Sequence, residues 1–210
     1  MGDEGMATTE IRVPKQERAV KKRDAIIRAS YELFCRKGYY QTNTAQIAKE
    51  AGVSTGIVYS YFQDKEDILL QVVRLYLAEL KEALDSVLSG VDSGRGLSYM
   101  VEACYERLYA SHTMRAEAHD EFWAMALRKE AIKELFKAFE TELLQELYRK
   151  LACRQDVSQT LLREKLRLSY HILECSCHDA ISPDLSKAER ETLKQLTVSA
   201  VVDLLERKIN

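Results

Sequence analysis

Proline occurs only twice in the 210 residues and glycine eight times, so few positions forbid a helix. Ala, Leu, Glu, Lys and Arg are abundant instead, and together these features predict an all-α chain. No apolar run approaches the roughly 18 residues of a membrane-spanning helix. The polar, acidic N-terminus lacks the basic and apolar regions of a signal peptide. The expectation is a cytoplasmic protein with no membrane partner. Five cysteines, at 35, 104, 153, 175 and 177, are an odd and scattered set, which is a poor disulfide framework and suits a reducing compartment. The nucleophile elbow G-x-S-x-G, the phosphate-binding G-x-x-x-x-G-K-[ST], the zinc-protease H-E-x-x-H and C-x-x-C are all missing. An enzyme is therefore not expected, and nothing in the sequence requires a cofactor or a metal.

What is present is a charge polarity that the net −2 conceals. Residues 11–65 carry eleven Lys/Arg against five acids, whereas 66–210 carry 20 against 25 and the first ten residues add three acids. A basic N-terminal third on a mildly acidic body suits a protein that meets phosphate at one end, although a solvated charged face would look the same.

Within that basic third lies the most informative stretch, 38–69. Two short helical segments, 44–51 and 55–62, flank Gly52-Val53-Ser54. Gly52 suits a left-handed turn, and Ser54 can accept from the free N–H groups that start the second segment. Ile47, Ala48 and Ala51 make an apolar stripe that Val53, Ile57, Val58 and Phe62 continue. Two helices joined by a three- to four-residue turn with Gly form a helix-turn-helix, whose second helix enters the DNA major groove. Thr44, Ser54 and Thr55 are hydroxyls at helix starts, suited to phosphate oxygens. Gly56 lets backbone approach a groove wall, Tyr59 and Tyr61 point towards the DNA backbone, and Lys65 adds a charge. For Tyr59 a core aromatic is the alternative. None of these is a strong base reader, so sequence choice would rest on Thr55, Gln46 and DNA shape.

The run T44-x-x-I47-A48-x-x-A51-G52-V53-S54-x-G56-x-x-Y59-x-x-F62-x-x-K65-x-x-I68-L69 resembles the DNA-binding domain of TetR-type transcriptional regulators. The resemblance is dense over about residues 20–80 and thin beyond. Tyr61 stands where many members carry His, and Asn43-Thr44 where a hydroxyl pair or Thr-Val is common. The resemblance implies DNA contacts at Thr44, Thr55, Gly56, Tyr59, Tyr61 and Lys65. It also implies a first helix packed on the helix-turn-helix, a homodimer built on a four-helix bundle, a palindromic operator and a small-molecule effector held in the C-terminal body.

Along the chain, 1–14 read as a disordered arm, 15–64 as the DNA-binding domain and 65–210 as a helical effector-binding and dimerisation domain. The first helix presents Ile26, Ile27, Ser30, Leu33 and Phe34 inwards and ends at Gly38. Asp64 caps a long helix over 65–88. The Gly/Ser/Asp cluster at 89–96 marks a loop. Five further helices are expected at about 96–111, 115–128, 130–153, 157–181 and 186–208, making nine. His112-Thr113, Arg128-Lys129-Glu130, Cys153–Asp156 and Ser182-Pro183-Asp184 are the breaks.

The last two helices carry more apolar positions than one core-facing stripe needs; packing within the domain is one explanation, and the resemblance makes these helices the candidates for the dimer interface. Tyr99, Tyr105, Trp123, Met125, Phe136, Phe139, Tyr170 and His171 are candidates for a mainly apolar or aromatic-caged effector pocket, with core filling as the alternative for each. The segment 121–128, with Phe122-Trp123 and Ala126-Leu127-Arg128, is similar to that of members which regulate betaine synthesis. His171, Glu174, Cys175 and His178 share one helical face, leaving a metal- or thiol-responsive regulator as a variant reading. Closure of such a site needs Cys104, His112 or His119. The function expected is a repressor released from its operator by an effector; a helical small-molecule-binding protein or enzyme with no DNA role is the alternative from another class.

Overall fold

The computed structural model describes residues 15–89, 96–114 and 116–208, with side chains from Glu17 onwards except those of 114–120. The expected arm at 1–14, most of the loop at 89–96 and the side chain of His119 lie outside the described residues. Among the described residues there are nine α-helices and no strand. They are α1 (Lys15–Lys37), α2 (Thr44–Glu50), α3 (Thr55–Tyr61), α4 (Lys65–Leu88), α5 (Leu97–Met114), α6 (Ala116–Ala126), α7 (Glu130–Leu151), α8 (Leu162–Ala180) and α9 (Lys187–Glu206). The chain divides into two compact units between Leu69 and Leu70, so the first turn of α4 belongs to the N-terminal unit. The division falls later than 64/65; Ile68 and Leu69 are fully buried.

In the N-terminal unit, Ile26, Ile27, Ser30, Leu33 and Phe34 are buried on α1 as the periodicity predicts, and Tyr31 joins them. Ser30 donates to the carbonyl of Ile26, so its hydroxyl is buried without being orphaned. Gly38, at φ 80°, ends the helix. α2 packs against both α1 and α3. Its N-terminus is closed by a capping box in which Asn43 Oδ1 accepts from Gln46 N at 2.9 Å and Gln46 Oε1 accepts from Asn43 N at 3.1 Å.

Its C-terminus is a Schellman turn: Gly52, at φ 66°, donates to Lys49 O, and Val53 donates to Ala48 O. Ser54 then accepts from Ile57 N to start α3. Asp64 accepts from Asp67 N at 2.8 Å to start α4, as expected. Ile47, Ala48, Val58 and Phe62 are buried, while Ala51, Val53 and Ile57 are only half-buried.

In the C-terminal unit α5, α8 and α9 pack on one another, α6 packs on α5 and α7, and α7 packs on α8. Leu166, Leu173 and Cys177 of α8 and Val198, Val201 and Leu205 of α9 face the core. Ser176 and Thr197 share a buried hydroxyl–hydroxyl bond of 2.7 Å between these two helices. Lys165 is buried and donates its ammonium to the carbonyl of Arg207, complementing the C-terminus of α9.

Two helix boundaries in the C-terminal unit differ from expectation by three residues or more. α5 runs through His112 and Thr113, whose side chains bond back to carbonyls four residues earlier, those of Leu108 and Tyr109, without ending the helix. α8 starts at Leu162 rather than near 157. Leu161 sits in the left-handed region at φ 54°, which interrupts the helix. Ahead of it Ser158 N bonds to Leu205 O, and Gln159 Nε2 donates to the carbonyls of Leu151 and Val157.

Candidate nucleic-acid interface and ligand pocket

The caps of α2 and α3 fix the turn between them, and so fix which side chains of α3 remain outside. Val58 and Phe62 anchor the helix inwards. Tyr59 is 54% exposed, which excludes the core alternative for it. Its hydroxyl lies 3.1 Å from Thr44 Oγ1, linking the start of α2 to the middle of α3. Both hydroxyls keep a lone pair or proton for a third group.

Thr55 and Tyr61 are half-buried, and Ser54 and Gly56 are exposed. A Cβ on Gly56 would come no closer than 3.9 Å to another group, Ser54 Oγ, so nothing in the fold demands glycine there. Gln46, named as a base reader, has its amide oxygen committed to the capping box.

Lys65 has a role in the fold that its spacing did not suggest. Its ammonium donates to the carbonyls of Tyr39 and Thr42, each at 2.9 Å, and lies 4.1 Å from the centroid of the Tyr39 ring. The charge clamps the turn that joins α1 to α2. Tyr39 in turn packs edge-on against Phe34 at 5.3 Å. Tyr40, beside it, is an exposed aromatic next to the same turn that the motif did not single out. Arg18, Lys22 and Arg28 of α1 present further exposed positive charge.

In the C-terminal unit an apolar cavity of about 50 Å³ is lined by Leu84, Leu88, Cys104, Leu147, Tyr170 and Val201 among others. That is far below the ~300–1,000 Å³ of a small-molecule site. Beside it an open groove of about 410 Å³ runs between α6, α7 and α8. Of the eight pocket candidates, Trp123, Phe136, Tyr170 and His171 line this groove. Trp123 and Phe136 pack edge to face at 5.5 Å, and Tyr170 also borders the cavity. Met125, Tyr105 and Phe139 are buried core residues, and Tyr99 is exposed on a separate surface depression beside Glu102 and Glu106.

Burial, together with the charges of Glu174 and Glu140, holds the Tyr170 phenol protonated well above its usual range. Burial pushes the Cys104 thiol up to about 12 and raises Cys177 as well, so neither is a ready thiolate at neutral pH. The helical face read as a metal or thiol sensor is split. His171 lies 3.9 Å from Glu140 and Cys175 is exposed, whereas Glu174 and His178 turn towards His112 of α5.

These features define a helix-turn-helix reading head joined to a separate helical body. Residues 26–72 match the family model described as bacterial regulatory proteins, tetR family. Among curated proteins, the chain is 41% identical over 71 residues to the transcriptional regulator HbdR of Aromatoleum sp. (strain CIB), covering 34% of this chain and 31% of that one. It is 31% identical over 138 residues to the regulator BetI of Stenotrophomonas maltophilia (strain R551-3), covering 64% and 69%. Among solved structures, a TetR-family transcriptional regulator from Mesorhizobium loti MAFF303099 superposes with a TM-score of 0.75 at 23% identity, over 89% of this chain and 98% of that one. The chain belongs to the TetR family of transcriptional regulators. The relatives compared are transcriptional regulators. Among the described residues, no helix is long and apolar enough to cross a membrane.

Proposed function

We propose that this protein is a homodimeric DNA-binding repressor released from a palindromic operator by a small molecule bound in its C-terminal unit. The observation that carries the DNA part is the row of solvent-reachable hydroxyls on α2 and α3, with Tyr59 exposed and Thr44, Thr55 and Tyr61 half-buried. Thr44, Thr55, Tyr59 and Tyr61 offer hydroxyls beside the sterically open Gly56, on helices fixed by capping at both ends of the turn. Such hydroxyls and helix starts hold phosphates, while the small glycine admits the groove wall. Lys65 contributes chiefly by holding the turn behind them.

The α8 and α9 helices supply the dimer contact. Leu168 is 49% and Leu196 65% exposed, and Ile172, Leu193 and Leu204 are half-buried, which leaves an apolar surface after the core is satisfied. Two-fold symmetry then matches two half-sites about one helical turn apart or a multiple of it. The effector occupies the groove and opens the adjoining apolar cavity. Leu84 and Leu88 of α4 line that cavity, so its expansion displaces the helix whose first turn is built into the head. The ligand shifts DNA affinity only by the difference in its own affinity for the two states.

The test is binding of the purified protein to promoter fragments from neighbouring genes, across a salt series. Sequence-selective binding that weakens on Tyr59→Ala supports the proposal. Weak binding indifferent to both sequence and this substitution overturns it.

A further inference from the structure

We infer that the C-terminal unit holds a site for a divalent first-row transition metal, formed by His112 of α5 and by Glu174 and His178 of α8. One ligand atom from each residue lies within 4.8 Å of the other two. His112 is 0% exposed, and its Nδ1 lies 2.7 Å from the carbonyl of Leu108. A carbonyl can only accept, so Nδ1 carries the proton and the lone pair of the neutral ring sits on Nε2.

That nitrogen lies 3.2 Å from Glu174 Oε2. Two lone pairs facing each other at this distance repel unless a cation or a proton lies between them. The spacing is also close to the separation, roughly 3.3 Å, of two ligands on a tetrahedral ion with bonds of about 2.0–2.1 Å. His178 stands one helical turn from Glu174, with its ring edge-on to His112 at a centroid distance of 4.7 Å. A small rotation of this half-buried side chain brings it onto the same ion.

The surroundings orient the ligands as metal sites require. The Leu108 carbonyl fixes the tautomer of His112, and a side-chain hydrogen bond links Tyr170 to Glu174. Two imidazoles and one carboxylate suit Zn²⁺, Co²⁺ or Ni²⁺ better than the all-oxygen shells of Ca²⁺ or Mg²⁺. Three protein ligands leave a coordination position open. Glu174 and His178 line the groove that Trp123, Phe136 and Tyr170 border. The fourth position therefore faces the space where an oxygen- or nitrogen-bearing ligand enters. This site belongs to the body and does not depend on whether the head reads DNA.

The experiment uses the full chain, stripped with a chelator and titrated with Zn²⁺ by calorimetry and with Co²⁺ by visible absorption. One ion per chain is expected, with a ligand-field spectrum for Co²⁺. His178→Ala and Glu174→Gln lie at the half-buried rim and leave the circular dichroism melt near wild type, and each weakens Zn²⁺ binding by about tenfold or more. Failure to bind either ion more tightly than about 100 μM overturns the inference and leaves a protonated His112–Glu174 pair as the explanation of the contact. So does binding unchanged by both variants, or binding lost on His171→Ala or Cys175→Ser instead.

Discussion

Replacing Lys65 by Met keeps most of the aliphatic stem and removes only the ammonium, so it isolates the clamp on the turn between α1 and α2. Two hydrogen bonds to the carbonyls of Tyr39 and Thr42 are lost, together with the contact to the Tyr39 ring. A hydrogen bond from a charged donor contributes about 1.5–3 kcal/mol when well buried; the side chain is only part-buried, so roughly 1 kcal/mol each is the fairer figure. The cation–π contact adds about 0.5–1 kcal/mol at such a site. The sum, about 2–3 kcal/mol, lowers the urea midpoint of the N-terminal unit by roughly 1 M at a slope of ~2 kcal/mol/M.

Far-ultraviolet circular dichroism follows both units, whereas the single tryptophan, Trp123, lies in the C-terminal unit. The substitution therefore shifts the dichroism transition and leaves the fluorescence transition in place. A lysine whose main role was to pair with phosphate would behave differently. Its loss would leave both transitions unmoved and reduce the slope of log K against log salt by about 0.9 per head. That second pattern would refute the clamp.

Gly56→Ala separates fold from function: alanine is better than glycine in a helix by up to about 1 kcal/mol, so the melt holds or rises while operator affinity falls at least about tenfold. A gel-shift titration beside a thermal melt decides it. Leu196→Glu places a charge on the exposed surface of α9 and shifts the dimer to monomer in sedimentation equilibrium, with little effect on helicity. Asp156 accepts two bonds from Arg154, at 2.8 and 2.6 Å, and this pairing holds its carboxyl below the usual range. A depressed carboxyl contributes stability above its unfolded value near 3.9 and loses it as pH falls through the folded value. Asp156→Asn accordingly costs up to about 1 kcal/mol at pH 7, the range for a solvent-screened pair. The difference from wild type closes in acid below pH 4, as urea titrations at the two pH values will show.

The features legible in the sequence are those settled by neighbours a few residues away. Gly52 is read correctly because a Schellman turn closes on Lys49 and Ala48. Ser54 and Asp64 are read correctly because their bonds reach only three residues ahead. The same logic fails where the partner is remote. The start of α8 expected from periodicity falls too early because Ser158 answers to Leu205, 47 residues away, and because nothing local marks Leu161 as left-handed. The role of Lys65 depends on carbonyls 23 and 26 residues earlier, so its motif position suggested an outward charge.

The body shows the limit most clearly. One helical face of α8 offered His171, Glu174, Cys175 and His178 with nothing to rank them, since periodicity places all four on one side. Packing ranks them: α5 lies against α8 and brings the buried His112 to Glu174 and His178, while His171 and Cys175 stay exposed, His171 lying 3.9 Å from Glu140 of α7. The aromatic candidates divide for the same reason. Trp123 and Phe136 meet across α6 and α7, but Tyr105 and Phe139 turn into the core. A DNA-reading head can be recognised from one short segment because a duplex presents the same backbone to every reader. A ligand pocket assembled from several helices carries no such constant, so its chemistry becomes readable only after those helices are placed.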